Sequence, residues 1–128
     1  MDITPRVGAG RQIIERYGNG GFRIAGTRHE GSVLILGDVT LPWPVISTDT
    51  LDAATLASTL APVLNHERPP RILIVGCGRT FGLKPAGLDE VVRAAGVGLE
   101  WMDTGAACRT FNVLLLEDRE VAAALIAV

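Results

Sequence analysis

The chain has 128 residues, the length of one domain, and at this size it can bury roughly two-thirds of the surface its unfolded form exposes. Apolar residues make up 48% and charged residues 20%, which excludes a disordered polymer. The formal charge of -2, without a run of Lys or Arg, argues against nucleic acid or an anionic membrane surface as partner.

The first dozen residues, 1–12, read as an extended N-terminal arm. They lack the basic and apolar regions of a secretory signal. No apolar run reaches the roughly 18 residues of a membrane span. A cytoplasmic protein is the expectation. Ile13 to Tyr17 reads as a short strand, and Gly18-Asn19-Gly20-Gly21 as a turn, since Gly and Asn tolerate positive φ. Phe22 to Ala25 alternates apolar and polar, the pattern of a half-buried strand. Gly26 to Gly31 reads as a further turn. Val33 to Leu36 is continuous and β-rich, so it suits a strand buried on both faces. Pro42 and Pro44 keep Val39 to Ile46 extended.

The second half alternates helix with strand. Asp49 or Thr50 caps a helix carrying Leu56, Leu60 and Leu64, with Pro62 disturbing its last turn. Arg71 to Gly76 is the clearest strand. Pro85 opens a helix with the apolar stripe Leu88, Val91, Val92 and Ala95, and Gly96 ends it. Val97 to Met102 is a strand, and a helix runs from about Gly105 to Leu116. The tail, Val121 to Val128, is contested. It reads as a last strand or as more helix; strand is the favoured reading, although Ala122 to Ala124 argue for helix. This alternation implies an α/β fold with a partly parallel sheet covered by helices, and antiparallel hairpins at one side.

Few residues carry chemistry. Gly76-Cys77-Gly78-Arg79-Thr80-Phe81-Gly82 follows a strand and precedes a helix, where a dinucleotide-binding turn would sit, with Glu100 at the distance of a ribose-binding acid. The last two glycines are misplaced, however, and Pro85 delays the helix, so a tight turn is the better reading. Cys77 beside Arg79 has the cation of a reactive thiol but no assigned base. Cys77 and Cys108, with His29 and His66, do not have the spacing of a zinc site, and no metal is expected. Asp103 and Thr104 suit an N-cap. Cys108, Phe111, Asn112 and Leu115 share a helix face, and Arg109 stands next to it, available to Asp103, Glu117 or an anion. Arg79, Asp103, Thr104, Cys108, Arg109 and Asn112 therefore form a candidate pocket. It would lie between the Gly76–Gly82 loop and the Asp103–Asn112 segment, at strand C-terminal ends where open α/β sheets bind ligands. Trp43, between two prolines, is a candidate interface anchor if exposed and a lid on the core if not.

Several segments, in order, resemble a known family. They are Tyr17 to Gly26, Gly31 to Ile35, Trp43-Pro44-Val45, Ile74 to Gly78, Glu100 to Thr104, Ala106 to Leu115 and Val121 to Ile126. Together they are similar to the Mth938-type domain family, whose mitochondrial members assist the assembly of respiratory complex I. The resemblance implies one three-layer α/β domain over 1–128, with a central mixed sheet of about five strands whose last strand runs antiparallel to the rest. It also implies a non-enzymatic interaction or assembly role, with an assembly factor or membrane-complex subunit as protein partner. No cofactor and no catalytic residue carries over. A bacterial, cytoplasmic copy, peripheral to the membrane through its partner and able to self-associate, fits this reading.

Overall fold

The computed structural model describes residues 2, 3 and 11–128; most of the expected arm over 1–12 lies outside the described residues. Two sheets and four helices make three layers. Strands β1 (Ile14–Gly18), β2 (Gly21–Ile24) and β3 (Thr27–Glu30) form an antiparallel sheet in the order β1-β2-β3. Strands β4 (Val33–Leu36), β5 (Val39–Pro42), β6 (Ile72–Gly76), β7 (Gly98–Met102) and β8 (Val121–Leu125) form a mixed sheet in the order β5-β4-β8-β6-β7.

The hairpins follow from turn chemistry. Gly18 pairs with Gly21, leaving Asn19 and Gly20 as a two-residue loop with φ of 54° and 78°. Two positive φ values match the twist of the flanking strands and suit Asn-Gly. The expected turn from Gly26 to Gly31 is instead a third strand. Ala25 and Gly26 reverse the chain, and Thr27 to Glu30 pairs with β2. Its side chains are mostly exposed, so the sequence lacks the apolar alternation that marks a strand.

The contested tail is a strand, and it sits at the centre of the sheet. β8 pairs with β6 on one side and β4 on the other. Ala122 and Ala124 face one core and Val121, Ala123 and Leu125 the other, the period of two that a strand demands. All five are buried. Burial between two covered faces outweighs the helix preference of three alanines. The expectation that this strand runs antiparallel to the rest needs correcting. It is antiparallel to β4 but parallel to β6, which is itself parallel to β7. The helix after β7 carries the chain back past β6, and such a crossover returns it in the same direction.

Helices α1 (Ala53–Thr59), α2 (Ala61–Leu64) and α3 (Leu88–Ala94) cover one face, packing Leu56, Leu60, Val63, Leu88 and Val92 on Leu73, Val75 and Ala124. Helix α4 (Thr104–Leu116) and the hairpin sheet cover the other, where Phe22, Ile24, Cys108 and Phe111 meet Ile35, Ile74 and Ala123. The cap of α1 is Asp52, whose carboxylate accepts from Thr55 N–H at 2.7 Å, rather than Asp49 or Thr50. That hydrogen bond lowers the Asp52 pKa. The helix breaks at Leu60, two residues before Pro62, whose ring cannot accompany an unbroken turn. Helix α3 begins at Leu88, after Gly87, rather than at Pro85.

The tightest joint lies at the end of β6. A Cβ on Gly76 would stand 2.9 Å from Thr104 Cα and 3.1 Å from both Ala107 Cβ and Leu125 Cδ2. Gly76→Ala is expected to destabilise the domain by about 1–3 kcal/mol, the usual range for overpacking. A urea unfolding midpoint equal to that of the parent chain would contradict this packing.

Candidate functional site

The C-terminal ends of β6 and β7 are where the two crossovers leave toward opposite faces, by α3 and by α4. An open α/β sheet keeps a ligand crevice at such a point. Here the crevice is stitched shut. Cys77 N–H donates to Met102 O at 2.8 Å and Thr104 N–H donates to Gly78 O at 2.8 Å. Gly78 N–H donates back to Thr104 Oγ1 at 3.1 Å. The Trp101 indole N–H donates to Gly82 O at 2.8 Å.

The six candidate residues consequently divide. Asp103 caps α4, accepting from Ala106 N–H at 2.9 Å. Thr104 is fully buried; its hydroxyl accepts from Gly78 and donates to Ile126 O at 2.8 Å. Asn112 is also buried and reaches β1. Its Oδ1 accepts from Ile14 N–H at 3.0 Å and its Nδ2 donates to Ile14 O at 2.9 Å. This pair supplies backbone partners beside the bulge between Ile14 and Arg16, where regular pairing lapses. Arg109 is exposed and donates to the Tyr17 hydroxyl at 2.9 Å, rather than meeting Asp103 or Glu117. Cys108 lies in the core with 0% exposure. Burial pushes its thiol up to about 12, with the Arg109 charge acting in the other direction. A thiol so placed is protonated and inert at neutral pH.

Arg79 alone of the six lines a cleft, of about 450 Å³, on the other side of the Gly76–Gly82 loop. Its walls are that loop, Ile46 to Asp49 and the tail from Ile126. The dinucleotide reading gains nothing from this geometry, because five residues separate Gly82 from the start of α3. Cys77 is buried beside the cleft and organises the loop. Its Sγ accepts from Gly82 N–H at 3.3 Å and faces Thr80 O at 3.6 Å. Both cysteines are free thiols. Among the described residues, no group of three or more His, Cys, Asp or Glu gathers as a metal site.

Trp43 is not an exposed anchor. It is 3% exposed, packs in the core with Leu56 and Leu60, and donates its indole N–H to Thr59 Oγ1 at 3.0 Å. The prolines around it fold it inward as a lid. The most exposed large apolar side chains are instead Ile46 at 93%, Leu83 at 90% and Phe81 at 65%. Ile46 and Leu83 lie in loops of irregular conformation, where no periodicity sets an exposed side chain apart from a buried one.

Fold and site together define a three-layer α/β domain of the Mth938-like kind, with its switch-point crevice closed by hydrogen bonds. A Bordetella pertussis protein described as a Mth938-like domain matches with a TM-score of 0.75 at 27% identity, covering 99% of this chain and 92% of that one. A Bartonella henselae protein described as an outer membrane protein matches with a TM-score of 0.81 at 35% identity, covering 92% of this chain and 96% of that one. The chain belongs to the family described as "Protein of unknown function (DUF498/DUF598)", whose model matches residues 14–126. An uncharacterised protein of Rhodobacter capsulatus is 39% identical over 118 residues, 92% of this chain and 86% of its own length. NADH dehydrogenase (ubiquinone) 1 alpha subcomplex assembly factor 3 of Xenopus tropicalis is 35% identical over 116 residues. That match covers 89% of this chain and only 60% of the Xenopus protein.

Two predictions follow from the buried polar groups. Asn112→Leu strands the Ile14 N–H and C=O in the core and should cost about 2–4 kcal/mol, the penalty for two unsatisfied backbone groups; chemical denaturation measures it. Cys108 ionises near 9.0 when unfolded and near 12 when folded. The unfolded chain therefore loses its proton first, and stability falls as pH rises from 9 toward 12. Cys108→Ala should remove that part of the alkaline slope, and an unchanged slope would speak against a buried, protonated thiol.

Proposed function

We propose that this chain is a non-enzymatic interaction or assembly protein, with a protein partner that is an assembly factor or a subunit of a membrane complex, respiratory complex I first among them. The observation that carries the reading is the match along 89% of the chain to a protein named as a complex I assembly factor. The chemistry is in keeping with it. The polar residues that could have formed a catalytic pocket hold backbone groups instead, and large apolar side chains stand exposed at Ile46, Phe81 and Leu83. Ile46 and Phe81 border the same cleft, and exposed apolar surface gathered in one place is a feature of protein–protein contact. Among the described residues no helix is long and apolar enough to cross a membrane, and we place the protein in the cytoplasm, reaching a membrane complex through its partner.

Deleting the gene in its native host and resolving membrane complexes on native gels tests the proposal. Loss of assembled NADH dehydrogenase, restored by the parent gene, is the expected result. Normal levels of every respiratory complex, together with a tagged chain that purifies alone, would overturn it.

A further inference from the structure

A cleft of about 650 Å³ opens at the end of the mixed sheet where β6 and β8 begin, opposite the closed crevice. It is bounded by the β4–β5 turn, α2, the loop before β6, the last turn of α4 and the start of β8. The walls are mainly apolar, with Leu36, Leu41, Pro62, Pro69, Leu115 and Val121 among them. Leu36, Leu41 and Leu115 are only half-buried, so apolar surface remains in contact with water here. The frame around it is fixed. Glu120 O accepts from Arg71 N–H at 2.9 Å and from Ile72 N–H at 3.2 Å, which ties the loop before β6 to the start of β8. Arg119 N–H donates to Leu114 O at 3.0 Å and ties the same corner to α4. Proline rings with fixed φ stiffen the wall on the α2 side.

Net charge does not select what enters. Arg68 and Arg119 in the lining are balanced by Asp38 and Glu120, so the rim favours neither an anion nor a cation. His66, also in the lining, adds one directed polar group. Its Nδ1 lies 3.0 Å from the Arg68 backbone nitrogen, which can only donate, and 3.2 Å from Arg68 O. The nearer contact makes Nδ1 an acceptor, and the neutral imidazole then carries its proton on Nε2, as a donor. A concave, mostly apolar cleft of roughly 300–1,000 Å³ with a few polar groups is the form of a small-molecule site. We propose that this cleft binds a small uncharged molecule with an apolar, ring-sized body and one acceptor oxygen, such as a carbonyl. The body lies against Leu36, Leu41 and Leu115, and the oxygen receives the His66 Nε2–H. The site does not depend on the assembly role proposed above.

The test is an NMR titration of the full chain, ¹³C-labelled at its Leu and Val methyl groups, with acetophenone, toluene, benzoate and benzylamine in turn. Acetophenone should give saturable shifts centred on the methyl groups of Leu36, Val39, Leu41, Leu115 and Val121. Toluene should move the same methyl groups with about threefold lower affinity, the worth of one exposed neutral hydrogen bond. Benzoate and benzylamine should bind more weakly than acetophenone, because a balanced rim does not offset the desolvation of a charge. His66→Asn keeps an acceptor for the Arg68 N–H but removes the ring N–H, and should bring acetophenone down to the affinity of toluene. Val39→Trp, on the exposed wall in β5, should block the cleft, whereas Val91→Trp, exposed on α3, should leave binding unchanged. The proposal fails if the shifts scatter beyond the cleft, if benzoate or benzylamine binds as tightly as acetophenone, or if His66→Asn still prefers acetophenone to toluene. It also fails if the same methyl groups shift on dilution of the chain alone, which would put a second copy on the cleft.

Discussion

The hydroxyl of Thr104 is the joint on which the upper half of the domain depends. It is fully buried, accepts from Gly78 N–H and donates to Ile126 O, while the Thr104 backbone N–H holds Gly78 O. One side chain thereby joins the exit of β6, the start of α4 and the end of β8. A buried hydroxyl without partners would be unfavourable by a few kcal/mol; with both roles filled it fixes three chain segments relative to one another. Gly76 is a glycine for the same reason, since any side chain there would run into the Thr104 backbone.

A second polar joint works at the other end of α4. Asn112 binds both backbone groups of Ile14, and so docks the hairpin sheet onto the helix through a side chain rather than through strand pairing. Phe22, Ile24 and Phe111 then exclude water around that contact, which strengthens it. The two joints lie on α4, eight residues apart in sequence, at Thr104 and Asn112. They explain why polar residues enter the buried face of this helix.

Much of this was legible in the sequence. The Asn19–Gly20 turn, the buried β6 and the α4 cap at Asp103 follow from local chemistry that tertiary contacts do not oppose. The misses have a common cause. β3 is a strand only because β2 offers it an edge, and its polar side chains carry no sign of that. The sequence leaves Trp43 open between an exposed anchor and a lid; packing with Leu56 and Leu60 and the indole bond to Thr59, sixteen residues along the chain, make it the lid. Of the six pocket residues, Arg79, Asp103 and Thr104 lie at the sheet's C-terminal end, whereas Asn112 lies at the far end of α4; spacing cannot tell a hydroxyl facing a cavity from one facing a backbone amide.

The closed crevice also bears on how this fold carries function. In open α/β sheets the switch point is free because glycine-rich loops leave their N–H groups to a ligand. Here Met102 O takes the N–H of Cys77 and Thr104 Oγ1 takes that of Gly78, the first two of the loop. The sulfur of Cys77 takes the last, at Gly82. The end of the sheet is thereby held by hydrogen bonds between the loop after β6, the start of α4 and the end of β8.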